Sequence, residues 1–299
     1  MRHATIILNP AAGRGAARRV KDPVVRAFHE QGWAVDLVET RHPGHATDLA
    51  VQAVQAGARV VVAVGGDGAV HEVANGLLRA PGGDAVTLGV VPIGSGNDFA
   101  KLVGVYRHSV QRAVARLATA TMRRFDVGCV LGEYFVNTMG FGFGAAVVRA
   151  RNAMPGLKGF FSYLVPIVKT FAVFQPPLFE VTAPGFHERG RMMMVEVCNG
   201  TTAGGSYRFA PEADPCDGLL DACLIREVSV PRFLIALPRV MRGTHVGMPE
   251  MALVRLKTLE VRSPEEPLLL HLDGELREPG VHECTVTVDP QRLSVLVAR

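Results

Sequence analysis

Residues 60–64 read VVVAV and run straight into Gly65-Gly66-Asp67-Gly68, after which Val70, Val73, Ala74, Leu77 and Leu78 recur at helical spacing. An unbroken β-branched run is what a strand buried on both faces requires. Apolar residues at i, i+3, i+4, i+7 and i+8 form one face of a helix. A doubly buried strand joined to a helix by a short Gly-rich turn belongs to a parallel sheet covered by helices. The rest of the first 120 or so residues repeats the alternation. Strands are expected at 5–8, 34–38 and 88–91, and helices at 16–30, 46–56 and 110–118.

Near residue 122 the texture changes. Short strand-like runs punctuated by Gly and Pro appear at 125–131, 134–138, 178–182, 192–198, 219–225, 252–261, 268–272, 284–288 and 293–297, with helical candidates at 160–174 and 231–242. That pattern predicts a second, mainly antiparallel β-sandwich or open barrel over residues 123–289, following an α/β domain over residues 1–122. The length of 299 residues also fits two domains. Hydrophobic residues at 48% and charged residues at 20% exclude a largely disordered chain.

The turn after the buried strand carries chemistry. Glycines let a backbone approach a ligand, and a helix N-terminus offers unpaired N–H groups to phosphate. Ligands of open α/β sheets sit beyond the carboxyl ends of the strands. Asp67 stands where it can hold a Mg²⁺ bridging phosphates. For this loop alone, a tight turn with Asp67 as the N-cap serves nearly as well. His71, Glu72 and Asn75 are expected on the polar face of the helix, His71 at the surface. Two more polar, Gly-rich turns follow strands on the same edge: Asn9-Pro10-Ala11-Ala12-Gly13, and Gly94-Ser95-Gly96-Asn97-Asp98. Thr40 follows the second strand. Three such turns on one edge favour a phosphate site over coincidence.

No GxxxxGK[ST] or strand-linked GxGxxG occurs. Five Cys without a CxxC pair point to reduced thiols in a cytoplasmic protein. The N-terminus lacks the features of a secretory signal, and the apolar stretch 160–174, broken by Pro166 and Lys169, is too short to span a bilayer. The net charge of +4 comes from 27 Arg and 5 Lys scattered along the chain, which is no nucleic-acid footprint. Phe160, Phe161, Leu164, Val168, Phe171 and Phe174 serve either as core or as a slot or interface for lipid, with Lys158 and Lys169 near head groups.

GGDGAVHEVANGL resembles the GGDGTxxEVxNGL motif of the diacylglycerol kinase catalytic domain; NPAAG resembles its NPxxG, and PIGSGNDFAK its PxGTxNDFAR. The segment from Pro211 to Asp221 resembles PxAxxDDGxLD, and Asp273-Gly274-Glu275 the family's DGE. Order and spacing fit the bacterial soluble YegS-like and DgkB-like lipid kinases. The resemblance implies ATP as co-substrate, held by Asn9, Thr40, Gly65, Gly66, Asp67, Gly68, Glu72, Ser95 and Asn97. It implies Glu275 as general base toward a lipid hydroxyl, with Asp67 catalytic, and a structural Mg²⁺ on Asp214, Asp217 and the Leu219 carbonyl. It also implies a C-terminal strand, near 290–299, returning to the first domain. Ala69 stands where the family has Thr, Ser95 where it has Thr, and Cys216 where it often has an acid.

From the residues alone, Glu275 reads first as a solvated hairpin Glu, and Asp214, Asp217 and Asp221 most simply as loop and turn residues. The expected function is ATP-dependent phosphorylation of a lipid alcohol at a membrane surface by a cytoplasmic, peripherally acting enzyme. The alternatives are a NAD kinase-like enzyme and a binding protein impaired in catalysis. Edge strands in the second domain leave a homodimer open.

Overall fold

A computed structural model describes residues 2–106, 109–154 and 161–298. The chain divides into two compact units, Met1–Val127 with Pro290–Arg299, and Gly128–Asp289.

In the first unit β1 (Arg2–Leu8) leads through a kinked 3-10 segment, Ala12–Val20, to α1 (Lys21–Glu30). β2 (Trp33–Glu39), α2 (His45–Gln55), β3 (Val60–Gly65), α3 (Asp67–Arg79), β4 (Thr87–Pro92), the short α4 (Asp98–Leu102), α5 (Val110–Ala118) and β5 (Thr121–Val130) follow. The strands pair in parallel in the order β4–β3–β1–β2, and Ser294 and Val295 extend the sheet beyond β4, again in parallel. The VVVAV run is the interior strand expected: Val61 to Val64 are all buried, as are Leu88, Val90 and Val91 beside them. The helix expected from residue 16 instead begins at Lys21. Gly13, Arg14 and Gly15 are all left-handed, which ends one short helical piece before the next begins.

The second unit contains β6 (Glu133–Phe135), β7 (Thr138–Gly142), α6 (Phe143–Asn152), α7 (Phe161–Val173), β8 (Leu178–Ala183), β9 (Phe186–Cys198), β10 (Leu220–Arg226), α8 (Val230–Arg242), β11 (Met251–Leu256), β12 (Thr258–Arg262), β13 (Leu270–Leu272), β14 (Glu275–Arg277) and β15 (Glu283–Val297), whose last residues are those that join the first unit. One antiparallel path runs β14–β13–β7–β9–β10–β11. The other runs β9–β8–β12–β15. The long β9 serves both, its first half pairing with β8 and its second with β7 and β10. Phe141, Phe179, Met139, Val195, Leu259 and Val286 fill the core of this sandwich. A second apolar cluster gathers Phe143, Ile167, Met194, Ile225 and Val240 with α6, α7 and α8.

Helix α6 was not expected from its glycine-bearing sequence, and β15 is one strand where two runs were expected. In α7, Phe171 stacks on Phe233 with ring centroids 3.9 Å apart, and Val168 and Val173 face outward; Phe174, just past the helix, packs on Phe143. Lys158, Phe160 and the Phe161 side chain lie outside the described residues. Among the described residues, no helix is long and apolar enough to cross a membrane.

Candidate active site

The parallel register brings four of the expected positions to one edge of the first unit. Leu8 lies opposite Val64 and Glu39, and Gly65 opposite Pro92, so Asn9, Thr40, Gly66 and the loop after Pro92 all leave the sheet at the carboxyl ends. The ladder continues into those exits: Asn9 N–H donates to the Val64 carbonyl at 3.0 Å, Thr40 N–H to Leu8 at 2.9 Å, and Ile93 N–H to Gly65 at 2.7 Å. Each loop therefore starts from a fixed point.

Glycines then let the loops touch. A Cβ on Gly94 would sit 2.5 Å from the Gly66 Cα, and one on Gly65 would sit 2.6 Å from the Ala69 side chain. One on Gly13, already left-handed, would collide with the Ile93 carbonyl. Side chains fix the same loops, and Asp67 joins two of them. Asn9 Oδ1 accepts from Ala11 N–H at 2.9 Å, and Asp67 Oδ1 accepts from Phe99 N–H at 3.2 Å. Asn97, at φ +51, brackets Gly94: its Oδ1 accepts the Gly94 N–H at 2.9 Å and its Nδ2 donates to the Gly94 carbonyl at 2.6 Å. Asn97 shapes the loop that exposes Ser95. Gly66 is the N-cap of α3 in extended conformation, with Asp67 and Gly68 opening the helix, so Asp67 is no side-chain cap.

Glu72 has a visible structural partner. Its two carboxylate oxygens accept from Gly44 N–H at 2.9 Å and Ala46 N–H at 3.0 Å, capping the N-terminus of α2. Gly76 on the same helix allows that approach, since a Cβ there would meet the Ala50 methyl at 2.6 Å. Helix α3 is thereby enclosed. His71 is 2% exposed, not at the surface, and Asn75 one turn on is equally buried.

In the second unit, Asp273 and Gly274 form a two-residue turn between β13 and β14, both left-handed, as a type I′ hairpin demands. The Asp273 carboxylate accepts N–H groups from Val136 at 3.1 Å, Asn137 at 2.8 Å and Thr138 at 3.1 Å. Its own N–H donates to the Thr138 carbonyl at 2.7 Å. Glu275, the next residue after the turn, is exposed. Arg277, two residues on, is held by both oxygens of Glu133. Sequence reasoning named Glu275 but missed the anchoring role of Asp273; the Asp-Gly pair was the available signal.

Asp214, Asp217 and Leu219 share one turn. Asp214 Oδ1 accepts from Cys216 N–H at 3.1 Å, and Asp217 Oδ1 from Leu219 N–H at 3.0 Å. These are the oxygen donors a hard cation prefers. Arg255, however, already supplies positive charge: it donates to Asp217 Oδ2 at 2.6 Å and lies 3.3 Å from Asp221 Oδ1. Burial pushes the Asp221 carboxyl up from its ordinary range, and Arg255 opposes that rise. Among the described residues no group of three or more His, Cys, Asp or Glu converges on a metal-sized site.

Residues 3–130 match the diacylglycerol kinase catalytic domain family, and residues 137–297 the YegS C-terminal NAD kinase beta sandwich-like domain family. A protein named "Diacylglycerol kinase" from Bacillus subtilis is 28% identical over 92% of this chain and 90% of its own length. One named "Probable lipid kinase YegS-like" from Pseudomonas syringae pv. syringae is 32% identical over 92% of this chain and 87% of its own length. The crystal structure of a diacylglycerol kinase from Bacillus anthracis shares the fold with a TM-score of 0.73, covering 99% of this chain and 96% of that one at 19% identity. Yeast NADH kinase shares it more distantly, with a TM-score of 0.52 at 12% identity over 99% of this chain and 83% of that one. With both halves of the chain matched in order, this protein belongs to the diacylglycerol kinase family, in its YegS-like lipid kinase branch, and is a kinase.

Proposed function

We propose that this kinase transfers the γ-phosphate of ATP to the hydroxyl group of a lipid alcohol of the diacylglycerol type. The observation that carries the ATP half is the convergence of the Asn9, Thr40, Gly66 and Ser95 loops at one carboxyl edge, with Gly66 and Gly94 backbone to backbone. Backbone so unencumbered accepts phosphate oxygens, and the helix dipole at the α3 N-terminus favours their negative charge. Asn9, Thr40, Gly65, Gly66, Gly68, Glu72, Ser95 and Asn97 shape or contact the nucleotide in this reading. Glu72 and Asn97 act at least partly through the loops they fix.

Phosphoryl transfer is mostly positioning and charge neutralisation, and Mg²⁺ at the phosphates would supply the latter. Asp67, a carboxylate at the sheet edge tied to the Phe99 N–H, suits a hard cation. Asp214, Asp217 and the Leu219 carbonyl offer oxygen donors for a structural Mg²⁺, in competition with Arg255. Glu275 takes the proton from the acceptor hydroxyl as that oxygen attacks phosphorus. Its turn is anchored by Asp273 and the residue is exposed, as a base that meets an external substrate must be.

A lipid acceptor brings the enzyme to a membrane surface from the cytoplasm. The outward residues of α7 and α8 support this: Val168, Val173, Val230, Leu234 and Ile235 are exposed apolar side chains, with Lys169, Arg239 and Arg242 on the same two helices. The testing experiment incubates the purified protein with ATP, MgCl₂ and a total lipid extract and identifies phosphorylated products by mass spectrometry. New phosphate monoesters of lipid alcohols support the proposal. Phosphorylation of NAD in place of any lipid would transfer the assignment to an NAD kinase-like activity, and no product from either would leave a binding protein.

A further inference from the structure

Sheet register places His271, Gly140 and Glu196 in one row, His271 opposite Gly140 across β13 and β7, and Gly140 opposite Glu196 across β7 and β9. Residues paired in this way stand on the same face of a sheet. Gly140 has no side chain, so the two polar side chains lean over it and meet, with His271 Nε2 3.3 Å from Glu196 Oε2. A Cβ on residue 140 would collide with the carboxylate. Gly144, in the first turn of α6, closes over the same pair; a Cβ there would lie 3.2 Å from His271 Nε2 and 3.4 Å from Glu196 Oε2. Two glycines thus make room for one contact.

The contact is costly to the fold. Glu196 is 1% exposed and His271 5%, so neither is solvated, and Glu196 Oε1 and His271 Nδ1 have no hydrogen-bond partner among the described residues. Two apolar side chains would fill this row without that penalty. Stability is therefore not what the pair provides.

What it reaches is strand β13. That strand is three residues long, and Leu270 and Leu272 hold it to the sandwich core by its other face. Its far end is the Asp273–Gly274 turn and Glu275. The side-chain tie links β13 to β9, past the intervening β7, and limits how β13 can shift.

We propose that Glu196 and His271 are positioning residues for Glu275, a tie across Gly140 that holds strand β13 and the turn at its end. The proposal rests on the reading of Glu275 as general base, so its test has one readout that needs no activity. Compared with wild type are Glu196→Gln, which keeps size and hydrogen bonding, and the double variant Glu196→Leu/His271→Leu, which leaves no buried polar group unpaired.

Hydrogen exchange followed by mass spectrometry reads the peptide covering residues 273–277. In the double variant its exchange rises about tenfold or more while peptides of the first unit are unchanged. Lipid kinase kcat falls about 100-fold with KM for ATP within about twofold of wild type, the size of effect expected from small misplacement of a reacting group. Glu196→Gln keeps kcat within about threefold on the same scale.

Unchanged exchange at 273–277 in the double variant overturns the proposal, as does a Glu196→Gln variant as impaired as the double. Should the double variant fail to fold, Glu196→Gln decides alone: wild-type exchange and kcat support the hydrogen-bonded tie, and loss of both overturns it. If the exchange result holds but Glu275→Gln is fully active, the tie stands and the general-base reading falls.

Discussion

Asp67 Oδ1 accepts the backbone N–H of Phe99 at 3.2 Å, joining the turn after β3 to the loop after β4 through a side chain that is also the proposed cation ligand. The two roles separate by substitution. Asp67→Asn keeps the acceptor oxygen and removes the charge, so Tm stays within about 2 °C of wild type while kcat falls about 100-fold or more. Asp67→Ala removes both and also lowers stability, by about 1 kcal/mol. Thermal melts alongside a lipid kinase assay check this pair, and equal activity in wild type and Asp67→Asn would remove Asp67 from the chemistry.

Gly94→Ala tests the loop contact. The new methyl would lie 2.5 Å from the Gly66 Cα and 2.7 Å from Asn97 Oδ1, and neither the Gly66 backbone nor the bracketing Asn97 side chain can yield without opening the edge. The expected outcome is a nucleotide affinity lowered about tenfold, some 1.4 kcal/mol, in titration with a non-hydrolysable ATP analogue. Gly82→Ala is a fold-only control. That left-handed position has open space around it, and it costs stability without changing nucleotide affinity.

Legibility differed between the two halves. In the first, the strand of residues 60–64 announced its burial by being apolar throughout, and parallel strands put their loops on one edge by topology alone. Asn9, Thr40, Gly66 and Ser95 could therefore be set on one edge from the sequence. Partners distant in sequence could not. Nothing near Glu72 signals that it caps α2 at Gly44 and Ala46, and the burial of His71, on the polar face of its own helix, comes from tertiary packing alone. In the second half, short antiparallel strands carried their signal in turns. Asp273-Gly274 was readable as a hairpin, but the three N–H groups it accepts lie more than a hundred residues earlier. The Arg255 pairing with Asp217 and Asp221 is likewise a matter of register between β10 and β11.

That pairing predicts how the protein responds to Mg²⁺ without nucleotide. Arg255 occupies one oxygen of Asp217, so millimolar MgCl₂ shifts the Tm of wild type little. Arg255→Met leaves Asp217 and Asp221 repelling each other, lowers Tm, and makes Tm rise with MgCl₂ as the cation replaces the guanidinium. Differential scanning calorimetry with and without a chelator reads both. A large Mg²⁺ stabilisation of wild type, absent in Asp217→Asn, would show the cation displacing Arg255 in the native protein.

The thiols give a check on burial. Burial pushes Cys223 and Cys284 up to about 12, and raises Cys198 well above its ordinary value with help from the nearby Glu196 carboxylate. Thiolate is the reactive form, so at about pH 8 these three are inert toward Ellman's reagent in the folded protein. The half-buried Cys129 and Cys216 react, giving two of the five thiols, and all five react in denaturant. Three or more fast native thiols would mean the second unit is looser than described.

The central claim is that Glu275 is the base that activates a lipid hydroxyl toward ATP. The most direct measurement is transfer of radiolabelled γ-phosphate to a diacylglycerol-containing lipid extract by wild type and Glu275→Gln, each shown to bind ATP equally. Wild type labels lipid, and Glu275→Gln does so at least about 100-fold more slowly, the usual contribution of a general base. Wild-type rates in Glu275→Gln, or no lipid labelled by either protein, would contradict it.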